Sequence, residues 1–229
     1  MKNSEKISNQ LSNEEEPTRG ETVHQARRAA TRERLVQATI DLLKSEGIAA
    51  LNTVNITRAA GIVQSGFYMH FKNIDEAKRV AAERVAEKIR SYVARHRRRI
   101  HSIDPDSFNL LQAHCQKMLE LFDTEHSFAE IFLHYRYDRS PLGDLMRELE
   151  QQLHADLVDD LCFVIYQKQP FPENERELVS LQAEMILAMA LTAGEALMQQ
   201  RVSNIKTAAR LLAVNIMSST EAAFIKKNF

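Results

Sequence analysis

Residues 59–77, AAGIVQSGFYMHFKNIDEA, bring hydrogen-bonding side chains of several kinds into one short segment. Gln64 has the geometry to pair bidentately with adenine, and Ser65 can bond either to base edges or to phosphate. A hydroxyl, an imidazole and an ammonium that suit phosphate oxygens follow at Tyr68, His70 and Lys72. The segment therefore indicates recognition of a nucleic acid. The alternative is a compact helical corner with no such role.

Catalytic chemistry has no comparable support in the sequence. Four histidines of the C-terminal half lack the spacing of metal ligands: His114, His126, His134 and His154. His114 and Cys115 are neighbours on a predicted helix and so do not face each other. No other nucleophile can be paired with a base, and we therefore expect no catalytic residues, no metal, no cofactor and no enzymatic activity.

Charge is divided unevenly along the chain, although the formal net charge is only −1. Residues 18–101 hold 17 Lys or Arg and 8 Asp or Glu, a net of +9, whereas residues 102–229 hold 11 and 19, a net of −8. A basic N-terminal part on an acidic C-terminal part indicates a polyanion-binding head attached to a body with another task. A helical protein whose charges merely segregate is the alternative.

Composition predicts an all-α fold. Six glycines and five prolines in 229 residues leave little turn chemistry for β-hairpins, and the abundant Ala, Leu, Glu and Arg favour helices. Cys115 and Cys162 lie far apart and no apolar leader opens the chain, which predicts free thiols and a cytoplasmic location. The densest apolar run, residues 185–191, lies between Glu184 and Glu195 and is too short to span a bilayer. No membrane partner is expected.

Two helices are predicted ahead of the polar segment. The first runs from about His24 with an apolar face and ends at Gly47, which suits a C-terminal cap. Asn52 or Thr53 can cap a short second helix, which Gly61 ends.

The short second helix, the turn headed by Gly61 and one further short helix form a helix-turn-helix, which lays its second helix in the major groove of DNA. That second helix is predicted over residues 64–69, and the following helix begins at Asn73, in capping-box spacing with Glu76. Gly66 would let the backbone approach the groove closely. The residues expected to face inward are Ile56, Ala60, Ile62, Phe67 and Phe71. The residues expected to contact DNA are Asn52, Thr53, Gln64, Ser65, Gly66, Tyr68, His70 and Lys72.

The order of these residues resembles that of one known family. The matching residues are Ile56, Ala60-Gly61-Ile62, Phe67-Tyr68, His70-Phe71 and the acidic pair Asp75-Glu76, with Thr31-Arg32-Glu33-Arg34 leading into the first helix. On these residues the segment 31–83 resembles the DNA-binding domain of the tetracycline-repressor (TetR) family of transcriptional regulators. The resemblance implies a homodimer that reads a palindromic operator and responds to a small effector.

The chain departs from the family pattern at three positions. Val63 stands where most members carry Ser or Thr, Ile74 where many carry lysine, and Thr57 where alanine is common. These departures put individual DNA contacts in doubt, not the fold. Residues 67–76 are most similar to the branch that represses fatty-acid desaturation and unsaturated fatty-acid synthesis, so a fatty acyl group or acyl-CoA becomes one candidate effector.

Five further helices are predicted for the body, at about residues 107–122, 126–137, 141–168, 172–200 and 203–226, which gives about nine in all. The helix over residues 74–101 links head and body, and the resemblance implies that its displacement transmits effector binding. Its basic end, residues 95–101, would offset the helix dipole or touch a CoA phosphate. Thioethers and aromatics suit a cavity for an apolar ligand, although each also suits a plain core. The candidate effector-binding residues are Met118, Phe122, Phe132, Tyr135, Cys162, Met185 and Met189.

The last two helices are apolar or small around most of their circumference, and a second buried face implies a partner. A homodimer through residues 172–226 would form a four-helix interface, as in the family. The small residues expected to allow close approach are Ala193, Gly194, Ser218 and Ala222. One central helix inside a monomer is the alternative.

These expectations divide the chain into a disordered tail (1–20), a helix-turn-helix DNA-binding domain (21–75) and an effector-binding and dimerisation domain (76–229). The expected function is a ligand-responsive repressor of transcription. Two alternatives remain open. One is a DNA-associated protein without sequence discrimination, which Val63 and Ile74 raise, and the other is a lipid-binding helical protein without an operator.

Overall fold

Helices form the regular secondary structure in the computed structural model, which describes residues 19–97, 107–166 and 173–224. The α-helices are α1 (Arg19–Glu46), α2 (Thr53–Ala60), α3 (Gln64–Phe67), α4 (Ile74–Arg97), α5 (Phe108–Leu119), α6 (Leu121–Thr124), α7 (His126–Tyr135), α8 (Pro141–Tyr166), α9 (Arg176–Met198) and α10 (Ile205–Phe224). Short 3-10 helices, Ile48–Ala50 and Glu173–Glu175, precede α2 and α9. The prediction of an all-α fold with about nine helices is confirmed for the described residues, where the predicted helix 107–122 is divided into α5 and the single turn α6.

Some predictions concern residues outside the described ranges. Residues 1–18 of the expected tail and residues 98–101 at the basic end of the linking helix are among them. Arg19 and Gly20, which the sequence assigned to the tail, begin α1.

The head, residues 19–73, packs around two phenylalanines. Phe67 and Phe71 are almost fully buried, with ring centroids 5.4 Å apart, and Ile56 of α2 is buried beside them. Ala60 is buried as predicted, whereas Ile62 is partly buried and packs against the same core. The predicted inward face is therefore confirmed, with Ile62 at its edge.

Local chemistry sets the ends of α1 and α2. Asn52, rather than Thr53, is the N-cap of α2, because its side-chain oxygen accepts the Asn55 N–H at 2.9 Å. Gly61 ends α2 in the left-handed conformation, with φ of 65°, and Gly47 follows α1 with φ of 79°. Each glycine directly follows the last residue of its helix, so both predicted helix ends are confirmed. A side chain at either position would strain the backbone.

Helix α3 is shorter than the predicted span of residues 64–69. It ends at Phe67, and the chain then tightens, with the Met69 N–H donating to the Gly66 carbonyl at 3.3 Å and the His70 N–H to the Phe67 carbonyl at 2.9 Å. Bonds over three residues rather than four wind the backbone more tightly. This turn leads directly to the buried ring of Phe71.

The start of α4 carries the predicted capping box in a slightly altered form. The Asn73 side chain accepts the Glu76 N–H at 2.9 Å, and the Glu76 carboxylate accepts the Lys72 N–H at 2.7 Å. The return bond thus reaches one residue further back than in the usual box. Two backbone donors that the helix itself cannot satisfy are bonded in this way.

Helix α4 belongs to the head at one end and to the body, residues 107–224, at the other. It packs against α1 near its start and against α5, α7 and α8 further along. Its buried face is made mostly of small residues: Ala77, Ala81, Ala82, Val85, Ala86, Ile89 and Tyr92. The Tyr92 hydroxyl donates to the Lys117 carbonyl at 2.8 Å, which ties α4 to α5.

A second connection between head and body lies at Tyr135, the last residue of α7. The Ile48 N–H, in the turn between α1 and α2, donates to the Tyr135 hydroxyl at 3.1 Å. Burial raises the pKa of Tyr135, so the hydroxyl stays protonated at neutral pH. Nearby, the Lys44 ammonium donates to the Ser127 hydroxyl at 2.9 Å.

The body packs α10 against α5 and α9 against α8. Among the residues that the structure describes, one helical span, Glu173–Met198, is long and apolar enough to cross a membrane. Val179, Ala183 and Ile186 on that span are buried in a cluster with Leu161 of α8. Part of its apolar surface therefore serves the interior of the body.

We predict that Tyr135→Phe lowers the free energy of unfolding by about 1 kcal/mol, because the Ile48 N–H loses its acceptor. Equilibrium urea unfolding at fixed protein concentration measures the change. Tyr137→Phe is the matched control, since Tyr137 is 72% exposed and its hydroxyl should contribute little. Equal losses in the two variants would contradict a specific contribution from the Tyr135 bond.

Candidate DNA-contacting surface and effector cavity

The first turn of α3 presents its polar side chains to solvent. Gln64 and Ser65 are exposed, and Tyr68 and Met69 in the turn that follows are 59% and 67% exposed. Val63 precedes them at 73% exposed and makes no side-chain bond to cap the helix. This surface is where the sequence predicted contact with base edges.

Two arginines of α1 contact the turn that follows α3. The Arg28 guanidinium donates to the Met69 carbonyl at 3.2 Å, and the Arg32 guanidinium lies over the Phe71 ring at 4.9 Å from its centroid. Neither residue was among the predicted DNA-contacting set. Their spacing, four apart on a basic helix, was the available signal.

Gly66 has a steric role that differs from the predicted one. It is half-buried, and a Cβ at this position would lie 2.8 Å from the Ile62 Cγ2 atom. Glycine therefore allows α3 to approach the turn after α2. A role in bringing the backbone close to DNA stays a prediction.

His70 is half-buried, with its Nδ1 atom buried and without a hydrogen-bond partner among the described residues. Burial lowers the pKa of His70, and the positive charges of Arg28 and Arg32 lower it further. The ring is therefore mainly neutral at pH 7, and any phosphate contact that it makes would use an N–H without a full positive charge.

The remaining predicted DNA contacts lie around the same surface. Asn52 is exposed but its side-chain oxygen serves as the cap of α2, Thr53 is half-buried, and Lys72 is exposed. An amide N–H of Asn52 and the ammonium of Lys72 are the groups suited to phosphate.

A cavity of about 460 Å³ lies in the body between α4, α5, α6, α8, α9 and α10. Most of its lining is apolar, and its size falls in the range of small-molecule sites. Of the seven predicted effector-binding residues, Met118 and Phe122 line it. Cys115 lines it as well, and burial raises the pKa of its thiol to about 12, so the thiol is unreactive at neutral pH.

Five predicted effector-binding residues lie elsewhere. Phe132 is buried between α7 and its neighbours, and Tyr135 bonds to Ile48. Cys162 packs with the buried cluster of α8 and α9, which Met189 also contacts, and Met185 is 51% exposed on α9. Thioethers and aromatics fill ordinary cores as readily as cavities, which is why composition alone selected them.

The polar lining of the cavity was absent from the predicted effector-binding residues, although Arg97 belongs to the basic run 95–101 that was predicted to offset the helix dipole or touch a CoA phosphate. Arg97, at the end of α4, reaches two carboxylates of α8: its Nη1 lies 2.7 Å from Asp156 and its Nε donates to Asp160 at 2.8 Å. Burial alone would lower the pKa of Arg97, but the carboxylates of Asp160, Asp156 and Asp159 outweigh it and raise the pKa. Asp156, Asp159 and Asp160 share one helix face, a signal visible in the sequence.

His114 also lines the cavity but carries no charge there. Burial lowers its pKa to about 4, with a smaller contribution from His96. At neutral pH its ring is therefore neutral. It offers one donor and one acceptor to a ligand.

The predicted dimer surface needs one correction. Gly194 is buried and faces inward, because a Cβ at this position would collide with the ring of Phe122. Ala193 is half-buried against the core, whereas Ser218 and Ala222 are exposed on α10. Gly194 thus makes room for Phe122 beside the cavity instead of meeting a second copy.

No protein-family model matches the sequence, and no curated protein matches it. Solved structures do. The transcriptional regulator FadR from Bacillus subtilis, in complex with stearoyl-CoA, is 17% identical, with a TM-score of 0.61 over 81% of this chain and 97% of its own. The fatty acid degradation regulator FadR from Bacillus halodurans is 16% identical, with a TM-score of 0.62 over 82% and 94%.

A member of the TetR family from Streptomyces coelicolor A3 is similar to the same extent, at 16% identity and a TM-score of 0.61 over 81% of this chain and 97% of its own. At identities this low, the similarity establishes a shared fold but does not identify the DNA sequence or the effector that this protein binds. The resemblance that the head residues indicated is therefore confirmed at the level of the whole fold. The chain has the all-α fold of the TetR-family transcriptional regulators.

Proposed function

We propose that this protein is a ligand-responsive, DNA-binding regulator of transcription, a cytoplasmic repressor that reads a palindromic operator as a homodimer. One observation carries the proposal. A single helix, α4, joins the exposed turn of Gln64 and Ser65 at one end to an apolar cavity at the other, where Val93 and Arg97 line the wall. This arrangement supports the proposal, because one continuous helix would connect DNA contact to ligand contact.

Exposed side chains of the head support sequence discrimination. Gln64 and Ser65 provide groups for base edges, and exposed Val63 beside them could contact a thymine methyl. Ile74, where many family members carry lysine, packs against the core of the head. The lysine would have contacted phosphate, which positions a helix without reading sequence, so its loss does not favour a protein without sequence discrimination.

The homodimer rests on apolar side chains that the single chain leaves exposed. Leu178, Leu181 and Met185 recur at positions i, i+3 and i+7 of α9, and Leu211 and Val214 are three apart on α10. Each set forms a stripe along one face of its helix. Burying both stripes against a second copy about a two-fold axis would form a four-helix interface.

The proposed effector is small and largely apolar, as the cavity lining requires. An acyl chain fits such a lining, and the stearoyl-CoA in the Bacillus subtilis FadR structure makes a fatty acyl group or acyl-CoA a candidate. The effector acts only if it binds one arrangement of α4 better than another. DNA affinity that is unchanged when the cavity is saturated would contradict this mechanism.

The test of the DNA-binding role is selection of duplexes from a random library by the full-length protein at moderate salt, followed by sequencing. We expect an inverted repeat. Gln64→Ala should then relax the preference at particular base pairs at a cost of about 1–3 kcal/mol, since it removes a base contact. Tyr68→Phe and Lys72→Ala should weaken binding on all duplexes and, for Lys72→Ala, reduce the salt dependence.

Uniform weakening by Gln64→Ala would remove its assignment as a base reader. Recovery of unenriched DNA by folded protein would favour a protein that does not discriminate sequence, and recovery of none would favour a lipid-binding protein.

The test of the dimer is Leu211→Glu, because Leu211 is 64% exposed on the α10 stripe. A buried unpaired carboxylate at each copy of the interface should convert the dimer to monomer in sedimentation velocity and abolish operator binding. Val54→Glu is the matched control for sedimentation alone, where it should remain a dimer, since Val54 is 47% exposed on α2 in the head and a carboxylate beside Thr53 would itself repel DNA phosphates. A dimer that persists in Leu211→Glu would place the interface elsewhere.

A further inference from the structure

The charged groups that line the cavity are unequal in sign. Among the described lining residues, Arg97 is the cation, and the carboxylates are Asp156, Asp160 and Glu221. Asp160 is 5% exposed, and Arg97 already contacts it and Asp156 at hydrogen-bonding distance. One guanidinium and three carboxylates give these lining residues a net charge of about −2, counting full charges at neutral pH.

The neutral polar groups of the lining do not change this balance. The ring of His114 is uncharged at neutral pH. The Thr220 hydroxyl oxygen, on α10 beside Glu221, is buried without a hydrogen-bond partner among the described residues. A buried hydroxyl without a partner is costly, so a ligand that bonds to Thr220 would gain from satisfying it.

Electrostatics in such a lining select the sign of a ligand. A carboxylate or phosphate that entered it would meet excess negative charge, and the repulsion would be screened least near the buried Asp160. It would also have to displace Asp156 or Asp160 from Arg97 and leave a carboxylate without its partner. A cation meets the opposite situation, since the excess carboxylate charge attracts it while Arg97 keeps its partners.

We propose that the effector is a cationic amphiphile, with an ammonium or similar head group among Asp156, Asp160 and Glu221 and an apolar body against Met118, Phe122 and their neighbours. The inference rests on the proposed effector role of the cavity, and it replaces the fatty acyl group or acyl-CoA with a cationic ligand class. Because Arg97 joins the end of α4 to Asp156 and Asp160 of α8, a cation bound beside these carboxylates would share them with Arg97 and so act on the contact between α4 and α8.

The test is isothermal titration of the full-length protein with four probes that share a ten-carbon chain: decyltrimethylammonium, decanol, decanoate and decanoyl-CoA, each below its micelle concentration. The cation should bind at least about tenfold more tightly than decanoate, with decanol between them. Tighter binding of decanoate or decanoyl-CoA would overturn the cationic class and leave the effector cavity standing. Failure of all four to bind would overturn the effector cavity as well.

Variants on one helix test the carboxylates directly. Asp156→Asn combined with Asp160→Asn should reduce the ratio of cation to decanoate affinity at least about tenfold. Asp159→Asn is the matched control, because the Asp159 side chain is 79% exposed and lies 3.9 Å from Arg97, so the ratio should change less than about threefold. An unchanged ratio in the double variant would overturn the assignment.

Glu221→Gln provides a second variant if the double variant does not fold, since Glu221 is exposed on α10 and lines the same cavity. It should lower the affinity for decyltrimethylammonium severalfold and leave the affinity for decanol unchanged. Circular dichroism establishes the fold of each variant. Equal effects of Glu221→Gln on the cation and on decanol would contradict a charge-based preference.

Discussion

The burial of one face of α4 is the constraint on which the architecture depends. Alanines at positions 77, 81, 82 and 86 allow α4 to lie close against its neighbours, and this single helix of 24 residues, about 36 Å long, serves both halves of the protein. The exposed turn at Gln64 is fixed to its start and the cavity to its end. A helix broken in the middle would leave the head joined to the body by smaller contacts such as Tyr135–Ile48 and Lys44–Ser127, whereas a continuous helix couples the positions of the two parts directly.

Features governed by neighbouring residues could be predicted from the sequence. The cap at Asn52, the left-handed glycine at position 61 and the box at Asn73 each depend on side chains within a few positions, so their chemistry is visible in the chain. Residue choice in the head follows the same logic, with Phe67 and Phe71 buried and Gln64 exposed. The length of α3 was overestimated, because its end depends on where Phe71 must be placed in the core.

Features that depend on distant residues could not be predicted in this way. As an aromatic residue, Tyr135 was predicted to bind the effector. Its hydroxyl instead accepts the N–H of Ile48, which lies 87 positions earlier. Arg97 was part of a basic run with no visible partner, and its carboxylate at Asp160 lies 63 residues away. From the sequence, the small Gly194 indicated a close approach between helices. In the structure it accommodates the ring of Phe122. The spacing of residues along one helix predicts which side chains share a face. It does not predict which distant residues pack against that face.

The first turns of α1 have a further consequence. From Val23 to Ala30 every residue is exposed, so this part of the helix gains little from packing and must depend on its own backbone bonds. It should therefore exchange between helix and coil far faster than the segment that begins at Leu35. Arg28, which donates to the Met69 carbonyl, sits in that fraying segment. A polyanion bound along α1 would therefore stabilise this part of the helix and, through Arg28, the backbone at Met69.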